Sequence, residues 1–373
     1  MMSDERQISR YPTPLVEVNR GSYAEAVHYG AIAVVDAQGS LVAHAGDPDL
    51  VTYLRSSAKP FQLLPLVESG GADRFGFNDK ELAVMAASHS GEPRHLEAVR
   101  GILEKIGLDE SALQCGVHWP LSEESARVLR EAGREPAPIY NNCSGKHTGM
   151  LAQCAARGLS THDYLDPRHP IQVTILETLA ALCHVDSGAI GVGIDGCSAP
   201  CFAIPLRACA LAFACLADPF GLPEPRRSAI QRVVRAMMAY PEMVGGEGRL
   251  DTDLMRAAQG RLMCKGGAEG YHGIGVVKGG LGIAIKIVDG NGQRAGGPAA
   301  IEALRQMGIL DGGEVELLRK HYRPAVRNHR GLEVGEVRPV FELVYESREL
   351  FTVHRLLMTD NGLGDYSTCQ MRS

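Results

Sequence analysis

Five short stretches of this 373-residue chain collect side chains that can attack a carbonyl, hold an ion or move a proton. The first is Arg55-Ser56-Ser57-Ala58-Lys59-Pro60, followed by the apolar run Phe61 to Leu66. Pro60 suits a first helical turn, so Ser56 and Lys59, three apart, fall on one face at a helix start. A serine hydroxyl is a weak nucleophile until a base takes its proton. A lysine serves as that base only when burial or nearby cations lower its pKa. An N-cap serine beside a solvated lysine fits the same letters. The second stretch, Ala86-Ala87-Ser88-His89-Ser90-Gly91-Glu92, ends an apolar helix and turns at Gly91. Its polar side chains can project into a cleft there, and plain helix-end turn chemistry also explains it.

The third stretch, Asn141-Asn142-Cys143-Ser144-Gly145-Lys146-His147-Thr148, packs reactive groups between two apolar runs. Ser144 is a candidate cap for the next helix, which leaves Cys143, Lys146 and His147 at its N-terminal end, where a thiolate is favoured. The fourth, Gly191 to Pro200, is a short apolar strand entering a glycine-rich turn that offers Asp195 and Cys197. Cys143 and Cys197 together suit a borderline-soft ion such as zinc, although neither spacing is a recognised zinc pattern. The fifth, Met263-Cys264-Lys265-Gly266-Gly267, puts a lysine before two glycines at a strand edge, where backbone can approach a ligand carboxylate closely. Lys265 is one of eight lysines in a chain with 30 arginines, which argues against an incidental residue.

These stretches need elements to carry them. Two β-type runs over residues 24–46 meet at the turn Asp36-Ala37-Gln38-Gly39, and a second pair, 273–278 and 282–288, meets at Gly279-Gly280-Leu281. Between them helical periodicity runs through 60–69, 79–88, 93–106, 122–132, 145–157, 170–184, 205–217, 224–240 and 251–260. The expectation is an α/β (α+β) fold: an antiparallel sheet shared by N- and C-terminal strands, helices packed on it, and a helical lobe. Residues 341–358 read as one more strand or helix, and 360–373 as a polar, aperiodic end.

Composition limits the function. The chain is 45% hydrophobic with net charge −6 from mixed signs, so neither nucleic acid nor an anionic membrane is an expected partner. No apolar run reaches the ~20 residues of a membrane span. The polar stretch from Met1 to Thr13 lacks a signal core, and ten cysteines include no C-x-x-C pair. That pattern points to a cytoplasmic chain with reduced, mostly buried thiols.

In order, Ser-x-x-Lys-Pro, Ala-Ser-His-Ser-Gly-Glu, Asn-Cys-Ser-Gly-Lys-His, Gly-x-Asp-Gly-Cys and Lys-x-Gly-Ala-Glu-Gly closely resemble the L-asparaginase II family of the Rhizobium type, from about Tyr11 to Val340. The resemblance implies a fold like serine β-lactamases and serine-dependent glutaminases, in a catalytic domain over 11–340 with an extension over 341–373. It implies two Ser-Lys pairs, Ser56 with Lys59 and Ser88 with Lys265. It implies Zn2+ held by Cys143, Lys146 and Cys197, and a homodimer. The expected reaction is hydrolysis of L-asparagine to L-aspartate and ammonia through a serine ester. Arg55, His147 and Asp195 are the nearest charges to hold the small-molecule substrate. A glutaminase or other serine amidohydrolase remains open, since one methylene is worth only ~1–3 kcal/mol of discrimination. So does a non-catalytic metal- or thiol-responsive protein built on Cys143, Cys197 and Cys201.

Overall fold

The computed structural model describes residues 12–346. The readings of Met1 to residue 11 and of 347–373 lie outside the described residues. The expected turn at Asp36 to Gly39 forms: Gly39 takes φ +88° and its N–H donates to Asp36 O, closing β2 (Tyr23–Asp36) onto β3 (Leu41–Ala45). Before them runs β1 (Thr13–Arg20). Far along the chain come β7 (Leu262–Gly267), β8 (Tyr271–Val276) and β9 (Leu281–Ile287). After these follow β10 (Ala325–Arg327), β11 (Glu333–Pro339) and β12 (Val344–Tyr345).

All of these strands form one nine-stranded antiparallel sheet, ordered β10-β11-β1-β2-β9-β8-β7, with β3 joining β2 to β12. The N- and C-terminal strands thus share a sheet, as the sequence led us to expect. Residues 341–346 pack on this body, Phe341 and Leu343 being buried. A second sheet that the sequence only hinted at has the order β4-β6-β5, from β4 (Val51–Tyr53), β5 (Gly191–Ile194) and β6 (Pro200–Pro205).

Ten helices of seven residues or more occur among the described residues: α1 (Lys59–Glu68), α2 (Asp79–Met85), α3 (Pro93–Lys105), α4 (Glu123–Glu131), α5 (Ser144–Arg157), α6 (Pro170–Cys183), α7 (Leu206–Ala217), α8 (Arg226–Ala239), α9 (Leu250–Ala257) and α10 (Gly292–Gln306). Nine match the periodic segments closely. The tenth, α10, is marked by its Asn291 cap, whose side chain accepts from Arg294 N–H.

β8 is buried along its whole length and β2 from Gly30 onward, so both sheet faces are covered. Helix α7 crosses β2, β8 and β9, while α10 crosses β1, β9 and β11. The α7 contact is very close: a Cβ on Gly282 would lie 1.8 Å from Ala210 O. Helices α1, α2, α5, α6 and α8 pack on one another as the helical lobe. The functional side chains described next come from this lobe, from the small sheet and from the outer strand β7.

Candidate active site

Lys59 is the first residue of α1, preceded by a 3-10 turn over Arg55–Ala58. It is 1% exposed. Its Nζ donates to Ala87 O at 2.6 Å, Ser88 Oγ at 2.9 Å and Asn142 O at 3.3 Å. Burial, with help from the Lys265 and Lys146 charges and against the Cys143 and Cys197 thiols, lowers its pKa to about 8. An aliphatic amine so placed is neutral for about a tenth of the time at pH 7 and half the time at pH 8. It is therefore a competent general base.

Ser88 follows α2, held by its N–H to Val244 O at 3.0 Å, and is 5% exposed. Ser56 is half-buried, and its hydroxyl has no hydrogen-bond partner among the described residues. Its neighbour Ser57 donates to Lys265 O at 2.7 Å, which ties the start of α1 to β7.

Lys265, on the outer strand β7, is also 1% exposed. Its Nζ reaches Asp251 Oδ2 at 3.2 Å and Gly266 O at 2.7 Å. Hydrogen bonds thus join Lys59 to Ser88 and Lys265 to Asp251, while electrostatic coupling links the two lysines.

The loop before α5 is built around Asn141. Its side chain accepts from Cys143 N–H and donates to Cys115 O, while Asn142 N–H donates to His118 Nε2. Cys143 itself is the N-cap. Ser144 does not cap: its hydroxyl donates to Ile139 O and meets His89 Nε2 at 2.8 Å. Gly145 is required because α5 begins hard against α2, and a Cβ there would lie 2.1 Å from Val84 O.

This start brings Cys143 and Lys146 to Cys197, which lies in the turn between β5 and β6. Lys146 Nζ donates to Cys197 Sγ at 2.9 Å. Interaction with Cys197, together with Lys59 and Lys146 and against burial, holds the Cys143 thiol well below its usual range. Cys197 moves up in turn through its interaction with Cys143 and its own burial. Burial would lower Lys146, but Cys197, Cys143 and Asp195 outweigh it and lift its pKa.

Arg55 takes a left-handed backbone, φ +51°, and meets Asp195 Oδ1 through Nε at 2.9 Å and Nη2 at 2.8 Å. Such strain in a non-glycine residue is retained where side-chain direction matters. Burial opposes the ionised Asp195, but Lys146 and Arg55 keep its carboxyl below the usual range. Glu269, also at positive φ (+58°), stands 4.0 Å from Arg55 on the exposed rim. His147 is fully buried. Its Nδ1 lies 2.7 Å from Tyr164 Oη, and its Nε2 has no hydrogen-bond partner among the described residues.

Reading by residue type did not single out Asp251, His272 or Tyr164. Asp251 stands fourteen residues from Lys265 on α9, and no spacing rule joins a helix to the next strand's lysine. Asp251, Cys264 and His272 bring their ligand-type atoms within 4.8 Å of one another. The set does not suit a metal: Asp251 already carries Lys265, and burial pushes the Cys264 thiol well above its usual range.

No curated protein matches the chain. Among solved structures, Mglu in its native form with 4.3 M NaCl aligns over 76% of this chain at 16% identity with a TM-score of 0.34, and this chain covers 62% of it, under two thirds of its length. A β-lactamase from Mycobacterium bovis aligns over 75% of this chain and 95% of its own at 15% identity and TM-score 0.39. A putative β-lactamase from Bacteroides dorei DSM 17855 gives 69%, 84%, 12% and 0.36. Likenesses of this degree carry no argument here. The model of one family, described as L-asparaginase II, matches residues 16–339, which takes in every motif of the site. With nearly the whole described body inside that match, the chain belongs to the L-asparaginase II family.

Proposed function

We propose that the protein is an L-asparaginase, hydrolysing L-asparagine to L-aspartate and ammonia through a serine ester. The observation that carries this reading is Lys59 Nζ, buried, 2.9 Å from Ser88 Oγ and with its pKa lowered to about 8. Ser56 attacks the side-chain amide carbon, since its hydroxyl is half-exposed and unengaged whereas Ser88 is bonded to the lysine. Lys59 takes the proton, and Ser88 with Lys265 forms the relay that carries a proton to the leaving group. The departing ammonia collects that proton, and a water then repeats the cycle on the aspartyl ester. The Ser56 backbone N–H is the oxyanion donor in this scheme. Asp195 suits the α-ammonium of the substrate and Arg55 its α-carboxylate, each giving up part of the other's charge. His147 Nε2–H supplies a further buried donor.

Cys143, Lys146 and Cys197 would hold a Zn2+ ion. The fit is chemical: two thiols and an amine already converge, one thiol is readily ionised, and a dication would replace the protons on Cys197 and Lys146. Bound there, zinc would supply a Lewis-acidic anchor for substrate. The apolar side chains of Val192 and Ile194 stand exposed on one face of the small sheet, on the strand that runs into Asp195, and we assign the homodimer contact to that face.

The test is ammonia release from L-asparagine and L-glutamine, with and without chelator and added zinc, together with mass spectrometry of Ser56→Ala and Ser88→Ala. An L-asparaginase with these roles forms its acyl adduct on Ser56 only. An adduct on Ser88 overturns the serine assignment, and faster turnover of glutamine overturns the substrate.

A further inference from the structure

Asp251 has no part in the steps above, yet it is the most heavily engaged carboxylate at the site. It lies on α9 and is 8% exposed. Lys265 Nζ approaches Oδ2 at 3.2 Å, and Gly266 N–H donates to both oxygens at 3.0 Å. His272 Nε2 stands 3.2 Å from Oδ1, inside ion-pair range but off the line of a hydrogen bond. A buried carboxylate survives only with such partners. Burial opposes its ionised form here, and Lys265 and His272 overcome that to hold its carboxyl well below the usual range.

The geometry at Lys265 is the more telling part. Its side chain is fixed at two points, Asp251 Oδ2 and the Gly266 carbonyl, and a Cβ on Gly266 would lie 3.2 Å from Asp251 Oδ1. Gly266 therefore admits the carboxylate from one side, while Gly267 lets the Leu54 carbonyl approach from the turn that carries Ser56. A lysine has four rotatable bonds to its charge, and a cation that must meet a reacting amide in one place needs them frozen.

We propose that Asp251 is a positioning residue for the hydrolysis: its carboxylate, clamped by the Gly266 N–H and backed by His272, fixes Lys265 where it acts on the reacting amide. The inference rests on the amidohydrolase reading and adds a residue to it. A carboxylate that merely tied α9 to β7 would slow the enzyme by the same factor with or without Lys265.

The test is a double-mutant cycle on the full chain with Asp251→Asn, Lys265→Met and the two combined. Two readouts are taken: kcat and KM for ammonia release from L-asparagine, and the rate of serine labelling by a fluorophosphonate followed by intact mass. Asp251→Asn is expected to lower kcat and labelling by about tenfold to a hundredfold, with KM nearly unchanged. In the Lys265→Met background it is expected to cost nothing further. Losses that multiply in the double variant overturn the proposal. If Asp251→Asn does not fold, Asp251→Glu takes its place in the same cycle under the same criterion. Labelling without asparagine turnover refutes the substrate and leaves the cycle to decide on Asp251. A wild-type chain that is neither labelled nor active overturns both.

Discussion

At the residue scale the site is a contest between burial and charge. Lys59 is fully enclosed, yet it keeps three acceptors around its nitrogen, so it can give up a proton without losing its place. Because the base must be neutral to act, kcat/KM for asparagine should rise about tenfold per pH unit below pH 8 and level off above it. A profile flat from pH 6 to 9 would count against Lys59. Stability follows the same group. The unfolded lysine takes its proton near its ordinary 10.5 and the folded one only below about 8, so stability from this group rises with pH between those values. Below pH 8 the full cost of burying the cation is present, about 3 kcal/mol. Lys59→Met should therefore lower kcat by about 10²- to 10⁴-fold, and its urea midpoint relative to the wild type should be higher at pH 7 than at pH 10.5. Ser56, Lys59, Cys143 and Lys265 stood out as candidates because their short motifs carry chemistry within five letters. Asp251 was not, since its meaning comes from a turn of backbone that brings α9 under β7.

At the element scale, helix starts do most of the positioning. Lys59 opens α1, while Cys143 and Lys146 lie at the head of α5, and each head is set by what its backbone can touch. Gly145 allows α5 to rest directly on the Val84 carbonyl. Gly145→Ala should cost about 1–3 kcal/mol in a denaturant melt, and the displaced helix head should lower zinc uptake measured by metal analysis. Unchanged uptake would separate the proposed zinc ligands from the seat of α5. The helices were readable because their apolar positions recur at helical spacing over seven to fifteen residues. In the small sheet, β5 was readable as the short apolar strand before the glycine-rich turn, while β4 and β6 were not. β4 is only three residues long. A strand that short carries no alternation to read, and its pairing with β6 is what makes it a strand.

At the scale of the whole molecule, the exposed apolar residues of β5 and the site are neighbours, because β5 runs directly into Asp195 and Cys197. If two copies meet there, Ile194→Lys should shift sedimentation from dimer to monomer, and an unchanged sedimentation coefficient would move the contact elsewhere. The large sheet has a different consequence, one that concerns synthesis. Strand β2 is flanked by β1, made just before it, and by β9, whose Leu281–Ile287 leaves the ribosome some 250 residues later. Until then the β9 side of the buried half of β2, Gly30 to Asp36, stands open. Translation order thus leaves an adhesive edge on the nascent chain through most of its elongation. A chain stopped before Leu281 should collect in the insoluble fraction, and a chaperone that shields β2 during translation should raise the yield of the full-length protein.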